Sequence, residues 1–297
     1  MKTILILGAQ GQLGLELQSI FRDAGRVIAH SRAECDLSQP NSIRFAVRAV
    51  RPEVILNAAA YTAVDRAESE PDLAMRINGE APGILAEEAK KNGALLVHYS
   101  TDYVFDGSKA APYIEGDLTH PLNVYGATKL AGERNIQQVG GSYLIFRTSW
   151  VFSPHGKNFL LTMLRLGQER EHLNIVDDQH GAPTSALAIA EGIRRVLNSI
   201  RERPAEEVSG VYHMTCTSQT TWCGFAKAIF SNATVEKSWA TVTGIPSSEY
   251  PTPATRPANS VLSNEKLKAT FGVELPSWQS ALDTSLRSMQ LQRVPNP

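Results

Sequence analysis

A tyrosine and a lysine that could act together on a carbonyl group stand four residues apart in the segment Tyr125-Gly-Ala-Thr-Lys129. In an α-helix this spacing corresponds to a rise of about 6 Å and slightly more than one turn, so both side chains share one face. A free tyrosine hydroxyl has a pKa of about 10, and a neighbouring ammonium group would lower that pKa. The pair therefore predicts a tyrosine that donates a proton to a carbonyl oxygen while hydride arrives at the carbon.

A glycine-rich turn near the start of the chain predicts a dinucleotide site. Gly8, Gly11 and Gly14 follow the apolar run 4–7, and apolar residues at helical spacing come next. Strand, glycine turn and helix in this order are the context that the dinucleotide fingerprint requires. The first glycine permits the turn, the second lets a pyrophosphate approach the backbone, and the third lets helix and strand pack closely. The alternative is a glycine-rich turn that binds no ligand.

Composition limits the classes of protein to be considered. The chain has 297 residues, of which 42% are hydrophobic and 20% charged, and its net charge is −1. This charge gives no electrostatic reason to expect nucleic acid or an anionic membrane as a partner. No apolar run approaches the roughly 20 residues of a membrane span, and Met1-Lys2 leads directly into a strand-like run rather than a signal peptide. We expect a cytoplasmic protein whose three cysteines form no disulfide framework.

Strand-like and helical segments alternate along the first half of the chain. Strands are predicted at 4–7, 26–29, 54–57, 95–99 and 143–147, with a weaker one at 174–176; helices are predicted at 13–24, 43–50, 71–91 (kinked or divided) and 123–137. This rhythm predicts an α/β fold with a doubly wound, mostly parallel, Rossmann-like sheet. We assign residues 1–150, with the later strand near 174–176, to a dinucleotide-binding domain. Residues 151–297 form mainly a smaller α/β substrate-binding lobe.

Further motifs narrow the interpretation. They are Asn-Ala-Ala-Ala-Tyr-Thr-Ala-Val-Asp at 57–65, Tyr-Ser-Thr-Asp-Tyr-Val-Phe at 99–105, Pro-Leu-Asn-Val-Tyr-Gly-Ala-Thr-Lys at 121–129, Arg-Thr-Ser-Trp-Val-Phe at 147–152, Asp-Gln-His-Gly-Ala-Pro-Thr at 178–184 and Tyr-Pro-Thr-Pro-Ala-Thr-Arg-Pro at 250–257. With the glycine turn, these motifs make nearly the whole chain resemble the extended short-chain dehydrogenase/reductases that act on nucleotide sugars.

The resemblance implies an activity and roles for individual residues. The activity is NAD(P)H-dependent reduction of the 4-keto group of dTDP-6-deoxy-L-lyxo-4-hexulose to dTDP-L-rhamnose, for cell-surface polysaccharide. Thr101 would polarise the ketone, Tyr125 would supply the proton, and Lys129 would bind the nicotinamide ribose and lower the pKa of Tyr125. Other cofactor contacts would come from Gly8, Gln10, Gly11, Gln12, Leu13, Gly14, Arg32, Asp36, Leu37, Ala58, Ala59, Ala60, Tyr61 and Thr62. The sugar nucleotide would meet Thr101, Asp102, Trp150 and Arg256.

The residues after the second strand bear on the choice of cofactor. An acidic residue there would bind the ribose hydroxyls of NAD and repel a 2′-phosphate. This chain has His30-Ser31-Arg32, with Glu34 further on. The Arg32 guanidinium could pair with a 2′-phosphate, so we expect NADPH, with NADH as an alternative. A solvated loop arginine is the other interpretation of Arg32.

Two other functions remain open at this stage. One is another nucleotide-sugar ketoreductase or an epimerase, which would retain its nicotinamide cofactor. The other is a regulatory subunit that keeps the fold without catalysis, as in the methionine adenosyltransferase β subunit, which this family also resembles. We expect no metal site, and either a monomer or a homodimer. Some relatives form magnesium-bridged dimers, and although Glu16 matches one position of that bridge, Leu187 stands where another glutamate is needed.

Overall fold

The computed structural model describes residues 2–201, 204–233 and 239–293, with side chains up to residue 289. The strands are β1 (Lys2–Leu7), β2 (Gly25–His30), β3 (Val54–Asn57), β4 (Leu95–Thr101), β5 (Tyr143–Thr148), β6 (Val151–Phe152), β7 (His172–Val176), β8 (His180–Gly181), β9 (Thr184–Ser185), β10 (Gly210–His213), β11 (Thr220–Thr221) and β12 (Thr241–Ile245). The α-helices are α1 (Gln12–Phe21), α2 (Pro40–Val50), α3 (Val64–Ala67), α4 (Pro71–Ala74), α5 (Ala81–Asn92), α6 (Val124–Val139), α7 (Phe159–Glu169), α8 (Ala186–Ser199), α9 (Trp222–Asn232), α10 (Glu265–Phe271) and α11 (Trp278–Arg293).

Six strands form one parallel sheet in the order β10-β5-β4-β3-β1-β2. The chain runs outward from β1 to β2 and then crosses back to β3 on the other side of β1. The carboxyl ends of β1 and β3 therefore flank the point where the strand order reverses, and open α/β sheets bind ligands in the crevice at such a point. The predicted Rossmann-like fold class is confirmed.

Alternate residues of each central strand pack into two different apolar layers. Ile4, Ile6 and Leu56 lie in a core shared with α1 and α8, whereas Leu5 and Ile55 lie in a second core against α2 and α5. A strand covered on both faces needs apolar side chains in both directions. This explains why these strands appear in the sequence as continuous apolar runs.

The helical stretch predicted at 71–91 is helical throughout but irregular. Helices α4 and α5 are joined by a π-helical segment, Met75–Glu80. A π segment widens the helix locally and is often found at functional sites. Here it directs the buried Asn78 side chain toward the loop that follows β3.

The strand predicted near 174–176 exists as β7, but it does not join the main sheet. It pairs with β12 in a separate two-stranded parallel sheet. The sixth strand of the main sheet is β10, which pairs with β5 and lies in the part of the chain assigned to the lobe. The two strands differ in burial: three of the four β10 residues are buried, whereas β7 has one buried residue. Strand β10 is therefore suited to the main sheet, which is covered on both faces, and β7 is not.

A buried ion pair fixes α6 against the sheet. The Arg147 side chain on β5 donates to both carboxylate oxygens of Glu133 on α6, at 2.7–3.2 Å, and Ser100 on β4 donates to the same carboxylate. Glu133 is 1% exposed and Arg147 is 4% exposed. Since α6 also carries Tyr125 and Lys129, this pair determines where the two candidate catalytic residues lie.

We predict that Glu133→Ala strongly destabilises the fold, because it leaves the Arg147 guanidinium buried without its counter-ion. Breaking a buried pair in this way costs about 3–5 kcal/mol of unfolding free energy. Urea denaturation measures the change. The control is Glu169→Ala, whose ion pair with Arg165 is exposed on both sides and should change the unfolding free energy by less than about 1 kcal/mol. Equal, small effects of both substitutions would contradict the role given to Glu133.

Candidate active site

A cavity of about 700 Å³ opens at the carboxyl ends of the central strands. Its walls contain nearly all the residues predicted to bind the cofactor: Gly8, Gln10, Gly11, Gln12, Leu13, Arg32, Asp36, Leu37, Ala58, Ala59, Ala60, Tyr61, Thr62, Tyr125 and Lys129. Lys157 and Arg66 also line it, and neither was predicted. Thr101, Asp102, Trp150 and Arg256 lie outside its lining.

The glycine turn brings β1, α1 and the loop after β3 into close contact. Gly8 has φ +82°, and a Cβ atom there would lie 2.8 Å from the Ala59 nitrogen. A Cβ atom on Gly14 would lie 2.0 Å from the Gly8 oxygen, so helix and turn can touch only because position 14 is glycine. Gly14 therefore lies behind the turn, whereas Gln12 and Leu13 in the first turn of α1 face the cavity. Their amide groups are placed where a phosphate could bind.

The loop after β3 is held by a side chain that the sequence did not single out. Asn78 accepts from the Tyr61 amide at 2.8 Å and donates to the Tyr61 carbonyl oxygen at 3.0 Å. It also donates to the Thr128 hydroxyl on α6 at 3.3 Å. Because Asn78 is 1% exposed, it acts as a fixed clamp between the loop and α6.

Tyr125 and Thr101 come together beside the cavity. Asn123 caps α6 by accepting from the Gly126 amide, so the helix begins immediately before Tyr125. Burial raises the pKa of Tyr125 to about 12, while the hydroxyl of Thr101, the last residue of β4, lies close enough to act in the opposite direction. The expected lowering of that pKa by Lys129 is wrong for this structure, because the ammonium group points to a different acceptor.

The acceptor of the Lys129 ammonium group is a main-chain carbonyl oxygen of β4. The Lys129 ammonium group donates to the Tyr99 carbonyl oxygen at 2.6 Å, and the side chain is 1% exposed. Burial lowers the pKa of Lys129 to about 8, with Glu133 acting in the opposite direction. Lys129 is therefore mainly charged at neutral pH and lies at the wall of the cavity.

Asp102 is a buried carboxyl group next to Thr101. The Thr101 hydroxyl donates to Asp102 Oδ1 at 3.0 Å. Burial raises the pKa of Asp102 to about 6, while the nearby Ser260 and Thr101 hydroxyls act in the opposite direction. Asp102, Thr101 and Tyr125 thus lie close together at the end of β4.

After β2, the Arg32 guanidinium is exposed, and the neighbouring Glu34 carboxylate is hydrogen-bonded within the same loop. Ser31 donates to the Glu34 carboxylate through both its amide, at 2.8 Å, and its hydroxyl. Arg32 is 74% exposed and lies 3.4 Å from Asp36 Oδ2. Arg32, Asp36 and Ser31 line the cavity, whereas Glu34 does not.

The other predicted substrate residues are tied to partners from distant parts of the chain. The Trp150 indole stacks on Trp222 with ring centroids 3.6 Å apart and planes 8° apart, so one face is covered. Trp150 also has φ +48°, an uncommon conformation for a bulky residue. Arg256 donates to Asp65 Oδ2 at 2.9 Å, which connects the proline-rich loop to α3.

The part of the chain that the structure describes contains neither a metal-binding cluster nor a membrane-spanning helix. Within 2–201, 204–233 and 239–293, no group of three or more histidine, cysteine or acidic side chains is placed to hold a metal ion. No helix in that part of the chain is long and apolar enough to cross a bilayer.

The chain is similar to known proteins over nearly its whole length. The family model described as "RmlD substrate binding domain" matches residues 1–291. A dTDP-4-dehydrorhamnose reductase from Burkholderia thailandensis is 51% identical, over 97% of this chain and 99% of its own length; one from Salmonella typhimurium is 44% identical, over 96% and 97%. The crystal structure of dTDP-4-dehydrorhamnose reductase from Bacillus anthracis in complex with NADP has a TM-score of 0.90 at 34% identity and covers 97% of this chain and 99% of that chain. The chain therefore belongs to the RmlD substrate binding domain family, together with the dTDP-4-dehydrorhamnose reductases.

Proposed function

We propose that this chain catalyses the NADPH-dependent reduction of the 4-keto group of dTDP-4-dehydro-L-rhamnose, giving dTDP-L-rhamnose. The observation that carries the proposal is the meeting of Thr101, Tyr125 and Lys129 at the end of β4, next to a cavity lined by the glycine turn. The family relationship supplies the substrate class, because the curated relatives are named for this reaction.

The residues present fit a dinucleotide. Small residues at Gly8, Ala58, Ala59 and Ala60 leave room along the backbone, and the amides of the first turn of α1 are suited to a pyrophosphate. At one end of the cavity Arg32 could bind a 2′-phosphate, since Glu34 is engaged by Ser31. When bound, NADPH supplies the hydride.

The side chains at the end of β4 supply the proton and hold the ketone. With a pKa of about 12, the Tyr125 hydroxyl is protonated at neutral pH and carries the proton that the ketone oxygen needs. The Thr101 hydroxyl lies beside it and would donate to the same oxygen after its single proton turns away from Asp102 Oδ1. Lys129 places a positive charge at the cavity wall, where its ammonium group can bind ribose hydroxyls.

The sugar nucleotide would occupy the side of the site formed by Asp102, Trp150 and Arg256. Asp102 reaches this region beside Thr101 and can bond to a sugar hydroxyl. Arg256 is paired with Asp65, so a diphosphate would have to compete with that carboxylate for the guanidinium. Trp222 covers one face of the Trp150 ring and Gly181 also packs against the ring, so a ligand would contact the part of the indole that these two residues leave free.

One observation favours the reductase over the regulatory subunit. Such a subunit has no need of a tyrosine at the cavity wall with a threonine hydroxyl beside it. An epimerase remains the second candidate, and it would retain its nicotinamide cofactor through purification. We also propose that the enzyme is cytoplasmic and acts as a monomer or homodimer, as expected from the sequence.

Tyr125→Phe should abolish most turnover while leaving NADPH binding nearly unchanged. The substitution removes the positioned general acid, which is worth about 100- to 10,000-fold in rate, but leaves the cavity wall in place. The measurements are NADPH oxidation with the dTDP-4-keto sugar and NADPH titration without it. Tyr143→Phe, at the opposite end of the sheet, is the control and should keep the parent rate. A Tyr125→Phe enzyme with the parent rate would show that the proton comes from elsewhere.

Arg32→Ala should weaken NADPH much more than NADH. Only NADPH carries the 2′-phosphate, and a lost charge-assisted hydrogen bond costs about 1.5–3 kcal/mol, or more than tenfold in affinity. Dissociation constants for both cofactors provide the test. The matched control is Arg26→Ala, an exposed arginine at the other end of β2, which should change neither constant. Equal losses for NADPH and NADH would mean that Arg32 does not bind the phosphate.

A further inference from the structure

His98 on β4 is a buried histidine that lies between two hydrogen-bond donors. Its Nδ1 atom is 3.0 Å from Asn57 Nδ2, and its Nε2 atom is 3.4 Å from the Lys129 ammonium nitrogen. The ring is 1% exposed, and burial together with the Lys129 charge holds the pKa of His98 well below its usual range. A neutral imidazole has one N–H and one acceptor nitrogen, so it cannot accept from both neighbours.

Only one arrangement satisfies both contacts while Lys129 is charged. An ammonium group has only donors, so His98 Nε2 must be the acceptor and Nδ1 must carry the proton. The Nδ1–H group then needs an acceptor on Asn57. Asn57 Oδ1 has no hydrogen-bond partner among the described residues, so turning the amide by half a turn places that oxygen opposite Nδ1 without losing another bond.

We propose that Asn57 and His98 form a hydrogen-bonded chain that positions the Lys129 ammonium group for the cofactor. The inference rests on the proposed role of Lys129 in binding the nicotinamide ribose. Asn57 and His98 are paired in register on neighbouring parallel strands, so the strand pairing places their side chains next to each other. Asn57 immediately precedes Ala58 in the cavity wall, and the chain thus connects the loop after β3 to the lysine of α6.

The chain also explains how Lys129 can be both buried and available. Its ammonium group has three N–H donors, and β4 supplies two acceptors, the Tyr99 carbonyl oxygen and His98 Nε2. The third N–H can then be directed into the cavity. Without the His98 acceptor, the Tyr99 oxygen would be the only acceptor among the described residues that fixes the ammonium group, and the direction of the group would be poorly defined.

Two substitutions of His98 test the contacts of its two ring nitrogens separately. The short amide of His98→Asn can replace the Nδ1–H donor to Asn57 but does not reach Lys129. The longer amide of His98→Gln can place an oxygen near the Nε2 position and accept from Lys129. We expect His98→Asn to raise the NADPH dissociation constant about tenfold or more, and His98→Gln to restore most of the affinity. Titration without the sugar substrate measures both.

Nitrogen NMR of the unmodified protein, with 15N-labelled histidine, tests the chain independently of the variants' folding. Loss of one signal set in His98→Gln or His98→Asn identifies His98 among the seven histidines. Signals that do not move down to acidic pH come from His98 or from the buried His213, and loss of one of these sets in His213→Gln assigns the other to His98. We expect Nδ1 to be protonated and Nε2 to be bare. A proton on Nε2, parent-like NADPH binding by His98→Asn, or equal losses in both variants would overturn the proposal. Failure of the parent to reduce the dTDP-4-keto sugar would instead count against the proposed function, because the tautomer is read without substrate.

Discussion

The charge on Lys129 is the constraint on which the site depends, because an ammonium group removed from water must find acceptors fixed in advance. An uncompensated buried charge costs several kcal/mol, and Lys129 is 1% exposed. The sheet meets this demand with the Tyr99 carbonyl oxygen, while Glu133 on the same helix contributes negative charge. Helix α6 can therefore lie against β4 in one position, and this position brings Tyr125, one turn earlier, to Thr101.

The remainder of the site is assembled from loops that follow parallel strands. The glycine turn after β1 and the alanine loop after β3 approach each other where the strand order reverses, and Asn78 fastens the second loop to α6. Arg256 and Trp150 come from segments outside this crevice and are fixed through Asp65 and Trp222. The cofactor half of the site is thus built by the sheet, whereas the sugar half depends on contacts between distant parts of the chain.

The sequence predicted those features that short patterns encode. The apolar runs located the first five strands to within about two residues, and the glycine spacing identified the turn. It did not identify Asn78, since a polar residue in a helical run with Gly79 and Pro82 carries no sign that it will be buried. The sheet position of β10, the stacking of Trp150 on Trp222 and the direction of the Lys129 side chain depend on contacts between segments distant in sequence. For the same reason, the pKa of Tyr125 could not be obtained from its spacing to Lys129.

The most direct test of the central claim is the fate of the hydride. The protein is incubated with the dTDP-4-keto sugar and NADPH carrying deuterium at both C4 positions of the nicotinamide ring, and the product is analysed by mass spectrometry and NMR. We expect dTDP-L-rhamnose with one deuterium at C4 of the sugar, and one NADP released for each product molecule. A product without deuterium at C4, or a C4 or C5 epimer formed with no net consumption of NADPH, would contradict the central claim.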